Sequence, residues 1–181
     1  MAKVARYLGG RVVIEDPDLA LELERRGYGR RDDGLLVLES YEALYLVEKG
    51  RIEVLDGSSG RGISFQELLK LLEERDEKLW TRYLIYRDLR ERGYVVREGF
   101  GLGIDFRLYG RGEFRRKPAR YLVYGLLEGV PVRVAELEEV LRKALSTKKE
   151  LILAVVDRRG EVVYYSLSRW AGPRGGEEIG L

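Results

Sequence analysis

Residues 86–112 read YRDLRERGYVVREGFGLGIDFRLYGRG, and the fold turns on how this stretch divides. Its first part continues an upstream pattern. Leu79, Tyr83, Tyr86 and Leu89 keep a spacing of three to four, which predicts one buried face of a helix over about 76–92. The stretch then changes period: 94–97 reads as a strand, and 104–109 as a second. Between them lie Gly99, Gly101 and Gly103 at alternate positions. A dinucleotide-binding fingerprint is a poor reading of these glycines, because the final spacing is missing and the run leads into a strand instead of a helix.

Downstream the alternation is regular. A basic loop leads to a strand over 120–127, and 131–146 holds a helix with Leu137, Val140, Leu141 and Ala144 on one face. Residues 151–156 are apolar without interruption, as expected of a strand covered on both faces. Asp157-Arg158-Arg159-Gly160 turns the chain into a last strand, Val162–Leu167. After Trp170 the tail is rich in Gly and Glu, and is expected to fray.

Upstream, short strands alternate with short helices. Residues 3–8 and 11–15 flank Gly9-Gly10, a hairpin turn signal. Asp16 and Pro17 fit the N-cap and first position of a helix that Gly27 stops. A strand follows at 35–38, then a helix that Ser40 caps and Gly50 ends, then a strand over 51–55 and a loop at 57–60. Ser64 and Glu67 have the spacing of a capping box, with Leu68, Leu69 and Leu72 continuing the helix. These elements predict the α/β class: two small α/β domains, 1–83 and 84–181, the second with a mixed sheet. The helix over 76–92 crosses the boundary, so the halves are expected to pack together.

Composition narrows the chemistry. The chain has 181 residues, 45% hydrophobic and 35% charged, with acids and bases interleaved. That is a folded, salt-bridged surface. Cysteine and histidine are both absent, which excludes disulfides and thiolate or imidazole metal sites, and no dense acidic loop suggests an all-oxygen one. No metal and no cofactor are expected. Asn is absent, and Gln66 is the only Gln, a composition resembling that of hyperthermophiles. No apolar run is long enough to span a membrane, and the N-terminus lacks a signal-peptide core. A soluble, cytoplasmic protein is expected. The formal charge of +2 hides an asymmetry: residues 84–181 carry 19 Lys/Arg and 14 Asp/Glu, and residues 1–83 carry 14 and 17. The C-terminal half is the better candidate for an anionic partner. Arg111, Arg115, Arg116, Lys117 and Arg120 place five cations within ten residues, which slightly favours phosphate contact over a merely solvated loop.

Three pieces taken as a set resemble the archaeal tRNA-splicing endonuclease family: the opening stretch, RYLVYGL at 120–126 and LRKALSTKKELILAVVD at 141–157. The resemblance covers roughly 84–167 and implies a nuclease-like C-terminal domain. Members of this family cut precursor tRNA at bulge-helix-bulge junctions without a metal. The 2′-hydroxyl attacks the neighbouring phosphate, leaving a 2′,3′-cyclic phosphate and a 5′-hydroxyl. They use a Tyr, a His and a Lys. By resemblance, Tyr109 falls on the tyrosine and Lys149 on the lysine, with Lys148 its neighbour if the register slips. Pro118 falls where the histidine would stand. Free Tyr and Lys titrate near ~10 and ~10.4, far from neutrality, whereas a positioned acid contributes ~10²–10⁴-fold. Pro118 can neither donate nor accept a side-chain proton. The resemblance therefore implies a non-catalytic, structural subunit that needs a histidine-containing catalytic paralogue as partner and precursor tRNA as the substrate of the complex.

Blander readings stand beside these. Tyr109 also fits a strand residue packed on a neighbour. Lys148 and Lys149 follow a helix, where cations offset its dipole. Arg142 is read evenly as a base-clamping arginine or a solvated one. Arg115, Arg116, Lys117 and Arg142 are the RNA-binding candidates. For the subunit interface the resemblance implies pairing through the last strand, with Val163 and Tyr165, and an inserting loop with Asp157 and Glu161. Arg158 and Arg159 depart from a strongly acidic loop. The rival class is a stand-alone RNA-binding protein or a histidine-independent ribonuclease.

Overall fold

The computed structural model describes residues 3–101, 103–170 and 172, and of Phe100 only the backbone. The expected fraying of the tail falls almost wholly outside these residues. The chain runs β1 (Val4–Leu8), β2 (Arg11–Ile14), α1 (Pro17–Arg25), β3 (Arg30–Asp32), β4 (Leu35–Leu38), α2 (Ser40–Glu48), β5 (Glu53–Asp56), β6 (Gly62–Ile63) and α3 (Phe65–Glu73). It continues with α4 (Leu79–Glu91), β7 (Val95–Gly101), β8 (Ile104–Tyr109), β9 (Tyr121–Leu127), α5 (Val134–Ser146), β10 (Glu150–Val156) and β11 (Val162–Leu167).

Local chemistry sets most of these limits. Asp16 caps α1 by accepting the Asp18 and Leu19 N–H groups at 2.9 and 3.1 Å, with Pro17 in the first turn where no N–H is missed. The Ser64/Glu67 box closes α3 as its spacing predicts. The cap of α2 differs from expectation. Ser40 is the first helical residue, Glu39 is the N-cap, and the Glu42 carboxylate accepts the Glu39 N–H at 3.0 Å. Two strands were not anticipated: β3, which is polar, and β6, which has two residues. Several elements have other limits than expected, β5 among them at Glu53–Asp56 instead of 51–55. β7 runs on to Gly101, with a register shift after Glu98, α4 begins at Leu79, and α5 begins at Val134.

The strands form two mixed sheets, ordered β3-β4-β2-β1-β5-β6 and β11-β10-β9-β8-β7. β1 runs parallel to β5, and β9 parallel to β10; the other pairs are antiparallel. The second sheet is covered on both faces. On one side α5 buries Val140 and Ala144 against Leu122, Tyr124 and Leu151. On the other, Phe106, Val123 and Ala154 join a larger core that runs into the first sheet. The predicted α4 face is buried in that core: Leu79, Tyr83, Tyr86 and Leu89 are at most 2% exposed.

Aromatic contacts join the two halves. Tyr41 of α2 packs on Tyr86 of α4 with ring centres 4.8 Å apart, and edge-on to Phe106 of β8 at 5.1 Å. Arg82 lies over the Tyr41 ring and makes ion pairs with Asp76 and Asp105. Glu42 is 1% exposed. It accepts the Gly29 N–H at 2.8 Å and faces Arg97 of β7 at 3.7 Å. Burial pushes its carboxyl up to about 7, against the pull of Arg97 and the two backbone donors. Among the described residues, no helix is long and apolar enough to cross a membrane.

Candidate nucleic-acid interface

The order β8-β9-β10 brings three chain ends together. β8 ends where β9 begins, because the two are antiparallel, and β10 begins there too, because it is parallel to β9. The backbone stitches this end closed. Arg120 N–H donates to the Leu108 carbonyl and Glu150 N–H to the Arg120 carbonyl, each at 3.1 Å. Tyr109, Pro118 and Lys149, far apart in sequence, thus share one end of the sheet.

Tyr109 sits at the mouth of an open cleft of about 390 Å³, lined also by Phe114, Arg115, Arg116, Lys117 and Pro118. Phe114 meets the Tyr109 ring edge-on with centres 5.2 Å apart, fixing the phenol from one side. Lys149 is half-buried and donates to the Ala119 carbonyl at 2.9 Å. That bond ties the lysine to the residue next to Pro118. Lys148 points elsewhere in character: it is exposed, with a left-handed φ of 55°.

The basic loop is less free than its composition suggests. Arg115, at φ 67°, reaches back to α1, 3.4 Å from the Glu24 carbonyl oxygen and 3.5 Å from its carboxylate. Lys117 pairs with Glu113 at 2.9 Å and lowers the pKa of that carboxyl. Arg120 pairs with Glu150 at 3.1 Å. Arg111 and Arg116 have no ion pair among the described residues. Exposed pairs of this kind are weak, so a phosphate can exchange for these acids at small cost.

The remaining candidates lie apart from the cleft. Arg142 is exposed on α5 and does not line it. Asp157 and Glu161 sit at the other end of β10. There the Asp157 carboxylate accepts the Arg159 and Glu161 N–H groups at 2.8 and 2.9 Å and shapes its own turn. β11 is a sheet edge, with Val163 and Tyr165 facing outward at 49% and 55% exposure. Their neighbour Tyr164 faces inward and donates to Asp88 at 2.6 Å.

Sequence reasoning missed Phe114, Glu113, Glu24 and the Ala119 carbonyl. Phe114 stood next to the basic run and was the one aromatic in the loop. The other contacts carry no sequence signal, because each is set by the tertiary approach of distant segments.

A two-domain α/β chain with a tyrosine and a lysine at one end of a mixed sheet, beside a cationic loop, defines a nuclease-like class. Residues 5–69 match the tRNA intron endonuclease N-terminal domain, and residues 79–164 match the tRNA intron endonuclease catalytic C-terminal domain. A tRNA-splicing endonuclease of Methanococcus maripaludis is 43% identical over 163 residues, covering 90% of this chain and 92% of that protein. Those of Thermococcus onnurineus and Pyrococcus furiosus are 37% and 36% identical, over 79% and 89% of this chain and 81% and 93% of theirs. The chain belongs to the tRNA intron endonuclease family.

Proposed function

We propose that this chain is the structural, non-catalytic subunit of a tRNA-splicing endonuclease, which acts with a histidine-containing paralogue on precursor tRNA in the cytoplasm. The complex cuts at bulge-helix-bulge motifs and leaves 2′,3′-cyclic phosphate and 5′-hydroxyl ends. The observation that carries the reading is proline at 118, beside Lys149 and Tyr109, in a chain with no histidine.

The chemistry explains the weight placed on it. Attack by the 2′-hydroxyl needs a base, and departure of the 5′-oxygen needs an acid. Tyr109 offers one phenol at the cleft. Lys149 offers a cation suited to the charge on the phosphorane, but its ammonium already donates to Ala119. No third group in the cleft is a natural proton donor near neutrality: arginines and a lysine surround a proline. The same cations suit holding RNA in place. The exposed apolar residues Val163 and Tyr165 on an unpaired edge support assembly through β11, because such an edge is a liability without a partner. Asp157 and Glu161 are assigned to the docking loop, and Arg142 to RNA contact.

One observation favours the rival reading, in which the chain itself cuts RNA. Tyr109 and Lys149 are still held at the same sheet end. Co-expression with the organism's histidine-containing paralogue separates the two. Co-purification of both chains in one particle, with cleavage dependent on the paralogue's histidine, is expected. A chain that elutes alone and never associates would overturn the proposal.

A further inference from the structure

A second cleft lies between the two halves, and nothing so far has used it. It encloses about 490 Å³, enough for one nucleotide. It draws on Lys3 just before β1, on α1, α2 and α4, and on the start of β7. Five cations line it (Lys3, Arg26, Lys49, Arg51 and Arg90) against one acid, Glu22. Tyr28, Tyr45 and Tyr94 supply aromatic wall.

Part of this charge is already answered. Lys3 and Arg26 pair with Glu22, and Lys49 pairs with Glu91 and Glu48. The C-terminal ends of α1, α2 and α4 also meet here, each presenting roughly half a negative charge. Arg51 and Arg90 are left over. Arg51 is exposed and has no ion pair among the described residues. Arg90 is half-buried and has none either. Its guanidinium lies 4.1 Å from the Tyr28 ring centre, and its two terminal nitrogens share the Arg26 carbonyl at 3.3 Å. A partial charge stands where a carboxylate or phosphate would normally match a half-buried guanidinium.

The cleft neighbours the Tyr109 end of the second sheet. Val95, which lines it, pairs with Tyr109 across β7 and β8. Gly27 makes the close approach possible: at φ 81°, a Cβ there would fall 2.3 Å from Val95 Cγ1 and 3.4 Å from the Phe114 ring. Arg115 closes the link by reaching Glu24 on the same helix, α1. The basic loop and the cleft thus both border α1, through Arg115 at Glu24 and Arg26 at its end.

From this we infer that the interdomain cleft is a second RNA subsite. It takes one nucleotide of the strand leaving the basic loop, with its phosphate on Arg51 and Arg90 and its base against Tyr45 and Tyr94. The inference rests on the reading that the loop contacts RNA.

The test titrates a labelled bulge-helix-bulge RNA with the full-length chain at several salt concentrations. Wild type is compared with Arg51→Glu, Arg51→Lys and the triple variant Arg115→Ala/Arg116→Ala/Lys117→Ala. Arg51 is exposed, so its variants leave the fold intact. Arg51→Glu should weaken binding roughly 3–10-fold and reduce the salt slope by about one unit, while Arg51→Lys stays near wild type. Unchanged RNA binding by Arg51→Glu, with weaker binding by the triple variant, overturns the cleft and leaves the loop reading standing. Unchanged binding by both overturns the two together. A parallel titration with AMP covers the other source of a phosphate. If Arg51→Glu loses AMP but binds RNA as wild type does, the cleft serves free nucleotides and the RNA subsite is wrong.

Discussion

The two ends of the five-stranded sheet use polar residues in opposite ways. At the far end, charged groups mostly pair with one another, although Arg82 Nε is buried without a hydrogen-bond partner among the described residues. Arg82 pairs with Asp76 and Asp105, Asp105 accepts the Gly125 N–H at 2.7 Å, Tyr124 donates to Glu136, and Asp157 shapes its own turn. At the near end, Arg115, Lys117 and Arg120 hold only exposed pairs with Glu24, Glu113 and Glu150, Tyr109 has a ring neighbour, Lys149 has one carbonyl, and Arg111 and Arg116 have no acid among the described residues. Groups that answer each other hold the fold, whereas groups left with weak partners are available to a ligand. Removing a partner should therefore cost stability at the first end and binding at the second.

The sharpest break is Arg82→Ala. It strips Asp105 of its cation in a site where burial already raises the carboxyl pKa. Loss of about 3 kcal/mol is expected, at the low end for a buried pair, measured by chemical denaturation. A change below ~0.5 kcal/mol would show that the far end is not held by its ion pairs.

Next comes Glu42→Gln, read as a pH profile. Burial lifts this carboxyl from an ordinary 4.5 to about 7 in the folded chain. The folded state thus holds a proton that the unfolded state has lost. Stability should fall as pH rises from about 4.5 to 7 and then level, by on the order of 1–3 kcal/mol from this group. Glu39 is also raised by burial, with Glu98, Arg30, Arg82 and Arg97 nearby, so part of the slope remains in the variant. Gln can still serve a capping box, so α2 should persist. A profile identical to wild type would remove Glu42 from the pH dependence.

The smallest effect on the isolated chain is expected from Val163→Lys and Tyr165→Lys. Both face outward on β11, so each should change stability by less than ~0.5 kcal/mol. In the assembled complex both should shift the mass to smaller species by light scattering. An unchanged mass would mean that the edge is covered in some other way.

Much of this was legible in the sequence, and the reasons differ by element. The α4 face follows from a spacing of three to four, and the burial of β10 from an unbroken apolar run. β3 escaped because Arg30-Arg31-Asp32 has no apolar alternation; its pairing with β4 makes it a strand. Ser40 was a reasonable cap by residue type, but Glu42 reaches back from the third helical position and selects Glu39. The grouping of Tyr109 and Lys149 came from resemblance, and the strand order gives it a physical basis. The bond from Lys149 to Ala119 joins residues 30 apart, and the interdomain cleft joins segments from Lys3 to Val95. No local pattern carries such contacts.

The central claim is that this chain holds RNA or its partner and does not cut. Single-turnover cleavage of a bulge-helix-bulge RNA tests it most directly, with the pure chain alone and then mixed with the histidine-containing paralogue. No useful cleavage alone, and a gain on the order of 10²–10⁴-fold on adding the paralogue, is the predicted result. Robust cleavage by the pure chain, abolished by Tyr109→Phe, would contradict it.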